Sequence, residues 1–82
     1  MIRPYQNEAD VVEIGDLKAE NRLDRITVYG RIDLTRDKAG LENARALKQL
    51  LDDVVHTLEG DPALPEHVAP PKAPVMKRNP FA

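Results

Sequence analysis

The chain predicts an α+β fold: a small β-β-α unit, in which an antiparallel hairpin is followed by one long amphipathic helix. Three observations lead there. Apolar and polar residues alternate with period two between Val11 and Leu34. From Arg36 to Glu59 the apolar residues recur at helical spacing instead. Beyond Gly60 the composition changes, and six of the seven prolines fall between Asp61 and Ala82. The expected division is a flexible N-terminal arm over 1–10, a folded unit over 11–60, and a disordered Pro-rich tail over 61–82.

The clearest strand lies upstream of the helix. Ile26, Val28, Ile32 and Leu34 alternate with Arg25, Thr27, Tyr29, Arg31 and Asp33, the pattern of a half-buried strand. Gly30 falls on the apolar side, where a missing side chain lets a neighbour come close. Before it, Val12 and Ile14 are in phase, as are Leu17 and Ala19, but the two pairs are out of phase. One extra residue would restore the phase, so a β-bulge is expected at Gly15-Asp16; a turn there is the alternative. Asn21-Arg22-Leu23-Asp24 then reads as a four-residue hairpin loop.

The helix is expected to start after Thr35 as N-cap, with Asp37 in its first turn complementing the helix dipole. Gly60 fits a left-handed closing position, and Pro62 blocks continuation. Gly40 lies on the inward side of the first turn, where helix and sheet could meet closely. At ~100° per residue, Leu41, Ala44, Leu47, Leu51, Val54, Val55 and Leu58 share one face. Ala39, Ala46, Leu50 and Thr57 form a weaker apolar flank beside it.

About 50 ordered residues rarely bury enough to be stable alone, and a two-stranded sheet is marginal. The main stripe is therefore assigned to the chain's own hairpin and the second flank to a copy of itself. The expected assembly is a two-fold homodimer with a four-stranded antiparallel sheet and two helices on one face. Its interface is expected at Ala46, Leu47, Leu50 and Val54.

Composition removes whole classes of chemistry. The 82 residues contain no cysteine and no serine. Disulfides, thiolate nucleophiles, cysteine-type zinc sites and serine triads are excluded together. A secreted domain this small would need such staples, so a cytoplasmic, bacterial setting is expected. The segment Met1 to Glu8 has no apolar signal-peptide core. No apolar run approaches the ~18 residues of a membrane span. The glycines are scattered singly, so no phosphate-binding loop is present. His56 follows Asp52 at helical spacing beside Asp53, too few and too exposed to read as a metal site. No catalytic residue, cofactor or metal ligand is assigned, and no enzyme activity is expected.

Two binding features remain. The tail ends in Lys77-Arg78-Asn79-Pro80-Phe81, where the only Phe of the chain follows a basic pair. A lone aromatic in a disordered segment can anchor in a partner's pocket. Asn79-Pro80-Phe81 resembles the tripeptide recognised by eukaryotic endocytic adaptor domains, though three residues do not carry that function over. The polar sheet face presents Arg22, Arg25, Tyr29 and Arg31 with Lys18 and Thr27. A β-ribbon with such residues can enter a DNA major groove. Against this, Glu20, Asp24 and Asp33 are interleaved, and the net charge is −2.

The first expectation is a small dimeric interaction module that binds a protein partner through its tail. The second is a small dimeric DNA-binding regulator using the ribbon face, a layout similar in general terms to bacterial antitoxins. Nucleic acid is the disfavoured partner, and no membrane partner is expected.

Overall fold

The computed structural model describes residues 2–70. Three strands, β1 (Val11–Ile14), β2 (Asp16–Asn21) and β3 (Ile26–Arg31), are followed by one helix, α1 (Lys38–Glu59). The strands form an antiparallel sheet in the order β1-β2-β3. The α+β class holds, but among the described residues the chain carries three antiparallel strands rather than the expected two.

The third strand comes from Gly15-Asp16, which is a turn and not a bulge. Ile14 pairs with Leu17, and Val12 with Ala19. Gly15 sits at φ +61° at the first of two central positions, as tight hairpin turns favour. The register explains the phase break. In a two-residue hairpin, positions three apart stand opposite each other and share a face, so the apolar parity must flip across the turn. Val12, Ile14, Leu17 and Ala19 thus share one face with Ile26, Val28 and Gly30 of β3.

Between β2 and β3 the loop is shifted by one residue, to Arg22-Leu23-Asp24-Arg25. Asn21 pairs with Ile26 inside the sheet, and the Arg22 amide donates to the Arg25 carbonyl at 2.9 Å. β3 stops at Arg31 and does not reach Leu34. Gly30 adopts φ +103° opposite Leu17. A Cβ there would collide with the Asp16 carbonyl and sit 3.2 Å from the Leu17 Cα. The expected close approach at Gly30 is therefore made by the backbone of β2.

The N-cap of α1 is Asp37, two residues beyond the expected Thr35. Its carboxylate accepts the Gly40 amide at 2.8 Å, and the Thr35 hydroxyl donates to the same oxygen at 2.6 Å. Asp accepts from N3 as well as Thr does, and a second donor fixes it in place. Gly40 is buried, and its tight neighbour is the Thr35 backbone rather than the sheet. At the other end, Gly60 closes the helix at φ −85°, a right-handed and not a left-handed conformation. Its amide donates to the His56 carbonyl at 3.1 Å.

The core is small. Ile2, Ile14, Ala19 and Leu50 are buried, and Val12, Ile26, Ile32, Ala46, Leu47 and Val54 pack around them. The helix makes its closest backbone approach at β1. Ile2 brings in the segment expected to be a free arm. Arg3 and Gln6 close a turn with Pro4 and Tyr5 between them, the Gln6 amide donating to the Arg3 carbonyl at 3.1 Å. Tyr5 takes φ +66°, the positive value that the second central position of a type II turn demands.

Asn21, only 1% exposed, holds that turn. Its Nδ2 donates to the Arg3 carbonyl at 2.7 Å, and its Oδ1 accepts the Tyr5 amide at 2.8 Å. One side-chain amide thus imitates a strand neighbour for a segment outside the ladder.

Candidate interaction surface

On the helix, Leu47 and Val54 of the main stripe meet the chain's own core, and Ala46 and Leu50 of the second flank turn inward with them. Ala46, Leu47, Leu50 and Val54, expected at a dimer interface, face the chain's own core. Leu50 is 1% exposed in the single chain, so no partner can reach it. The reason lies in the sheet and arm. With Ile14, Ala19 and Ile2 as neighbours, a flank containing Ala46 lets the helix come close, whereas the bulkier stripe would hold it away.

The rest of the main stripe faces outward. Leu41, Leu51 and Val55 are 52%, 50% and 51% exposed. Ala44 and Leu58 beside them are half-buried, and Lys48 lies in the same row. Large apolar side chains at half exposure along one helix row, next to the core-facing Leu47 and Val54, make a continuous apolar belt. Both flanks are legible in the sequence, but angle alone does not say which the sheet selects, and the assignment of the second flank to a copy does not hold for Leu50.

A second uncovered apolar region lies on β3. Val28 is 46% exposed although it belongs to the apolar face of the sheet, and Leu34 beyond the strand is 54% exposed. The helix lies towards β1 and leaves this side of the sheet open.

The opposite face of the ribbon is polar and internally paired. Lys18 lies 3.8 Å from Glu13, Arg22 3.9 Å from Glu20, Arg25 3.1 Å from Asp24 and Arg31 3.4 Å from Asp33. The Tyr29 hydroxyl donates to Glu20 at 2.8 Å, which pushes the phenol above its ordinary value. The hydrogen-bonded Asp24 raises Arg25, and Arg25 holds Asp24 low. Of the four residues expected to read DNA, Arg22 and Arg25 lie in the β2–β3 loop, Tyr29 within β3 and Arg31 at the far end of β3 opposite Asp16, each within reach of a carboxylate. Such pairing lowers the positive potential that phosphate contacts require.

A hollow of about 460 Å³ opens between the arm, the second hairpin loop and the chain beyond α1. Tyr5, Leu23, Leu58, Leu64, Pro65 and Val68 contribute to its walls. Arg25 donates to the Ala69 carbonyl across its rim. Burial raises the Tyr5 phenol. Asn79, Pro80 and Phe81, the expected tail anchor, lie outside the described residues.

Around His56, Asp52 accepts from Lys48 and Asp53 from Gln49, both at 2.8 Å. Among the described residues no helix is long and apolar enough to cross a membrane. No protein-family model, curated protein or solved structure matches the chain.

Proposed function

We propose that the chain is a small non-enzymatic interaction module that works as a homodimer and engages a protein partner through its C-terminal tail. The observation that carries the dimer is the apolar surface a single chain leaves uncovered: Leu41, Leu51 and Val55 on the helix, and Val28 on the sheet. Among the described residues the buried core is four side chains, and that surface is large relative to what is hidden. Burying it against a second copy supplies stability that so small a core lacks.

The absence of an assigned reaction has its own support. The chain has neither cysteine nor serine. Its Asp10 and Asp24 carboxylates are held below their ordinary range by hydrogen bonds from Arg3 and Arg25. Acid–base catalysis near neutrality requires the opposite shift. The tail supplies the partner contact through Asn79, Pro80 and Phe81, with Lys77 and Arg78 selecting an acidic rim.

Sedimentation equilibrium of the full chain between about 1 and 100 µM tests the dimer. A mass of twice the chain's 9.2 kDa is expected; a folded species at the single-chain mass throughout overturns the reading. For the tail, a Phe81→Ala variant should keep the dimer and lose the partner in a pull-down.

A further inference from the structure

The outward helix row is more than apolar. Leu41, Ala44, Lys48, Leu51, Val55 and Leu58 follow one another at steps of three, four, three, four and three. That is the a/d spacing of a heptad seam. It runs about 26 Å along the helix, at ~1.5 Å per residue. None of the six is fully buried in the single chain.

We infer that this row is an antiparallel helix–helix seam whose occupant is the same row of a second copy, with Lys48 setting the orientation. The inference rests on the dimer reading and adds which surface forms the dimer and how it is aligned. A two-fold axis beside the midpoint of Gln49 and Leu50 places Leu41 opposite Leu58, Ala44 opposite Val55, and Lys48 opposite Leu51 of the other copy. Small meets large at the Ala44 layer, and every seam position finds a counterpart.

The parallel alignment is worse on both counts. It stacks Ala44 on Ala44, leaving a gap, and Lys48 on Lys48, opposing two cations. Charge complementarity favours the antiparallel form. Lys48 already bonds Asp52 of its own chain at 2.8 Å. Turned antiparallel, the other copy's Asp52 lies one position beyond the Leu51 it faces, so each Lys48 stands between two carboxylates. Arg45, on the same flank as Asp52, reaches the other copy's Asp52 as well. A polar residue at one seam position is a known device for fixing alignment at a cost in affinity.

The continuity of the surface supports the same occupant. Leu47 and Val54, half-buried against the core, border the seam along its length. A second helix laid on the row would close over them too, so the two cores become one.

The full chain has no cysteine, so introduced thiols report alignment without interference. Sedimentation of the wild type is compared with a Leu51→Lys variant, which sets a second cation against the other copy's Lys48, and, separately, a Val55→Lys variant. Far-UV circular dichroism checks that each stays folded. Both are expected to weaken the dimer at least tenfold. A mixture of Leu41→Cys and Leu58→Cys chains should form a disulfide-linked heterodimer on mild oxidation, while Leu41→Cys alone should not. If the dimer persists in both seam variants, the seam is wrong and the dimer forms elsewhere, at the open side of β3. If Leu41→Cys alone cross-links efficiently, the alignment is parallel and the role of Lys48 is overturned. A wild type that is monomeric throughout overturns the seam together with the dimer.

Discussion

Asn21 shows how one residue can change the reading of its neighbours. In sequence it looks like a loop residue, since Asn favours turns. In the fold it is buried and spends both ends of its amide on the backbone of Arg3 and Tyr5. Nothing in the local pattern signals this, because its partners stand 16 and 18 positions away. Replacing it with Leu removes both bonds, leaves the part-buried Tyr5 amide without its partner and leaves the Arg3 carbonyl with only the Gln6 amide. A loss of about 2–3 kcal/mol in denaturant unfolding is expected. Gly40 is a parallel case with a different cause. A methyl group there meets the Thr35 backbone, which cannot swing away as a side chain would. Gly40→Ala should therefore lower the thermal midpoint, although Ala is the better helix former by roughly 1 kcal/mol in an open site.

The helix separates what a pattern reveals from what packing decides. Its existence, its length to within two residues and its closing at Gly60 were legible, because a long amphipathic period is a strong signal. The cap was not, since Thr35 and Asp37 are both competent and only the Thr35-to-Asp37 hydrogen bond distinguishes them. The inward flank was not legible either. A direct contrast tests its assignment. Leu50→Ala should cost about 2–5 kcal/mol, the range for emptying a buried Leu site. Leu51→Ala on the outer row should change single-chain stability by no more than ~0.5 kcal/mol. A larger loss at Leu51 than at Leu50 would show that the sheet lies against the other flank. In the strands, the opposite error occurred. The phase break at Gly15 was seen, and a bulge was inferred from it. A two-residue hairpin produces the same flip, and the parity of the pattern alone does not separate the two.

At the scale of the molecule, acid is the condition that should unfold it. Asp37 is held low by the Thr35 hydroxyl and the Gly40 amide, and Asp10 by Arg3. The unfolded chain then binds more protons than the folded one in the carboxylate range. Stability is fully present above the ordinary value near pH 4 and declines as pH falls through the lower folded values. The unfolding midpoint should fall as pH drops below the ordinary carboxylate value near 4. An Asp37→Asn variant keeps the cap acceptor and should flatten part of that decline. Duplex DNA is a second whole-molecule test. With the ribbon cations paired and the net charge at −2, binding at about 50 mM salt should be negligible in an electrophoretic shift assay. Tight binding that collapses as salt rises would restore the ribbon as a nucleic-acid surface.

The turn over Arg3 to Gln6 has a dynamic consequence. It is attached to the sheet through Asn21, through Ile2 and through the Arg3–Asp10 pair, not through a strand ladder. Tyr5 also sits in a backbone region that most side chains avoid. The segment is therefore a separate opening unit, released by breaking the Asn21 and Asp10 side-chain contacts rather than by fraying of the sheet. In native-state hydrogen exchange, the Tyr5 amide should exchange ahead of the Ala19 and Tyr29 amides, which lie in hydrogen-bonded pairs with Val12 and Lys18. Ile2 would lift away with it, so the chain would expose part of its core without unfolding.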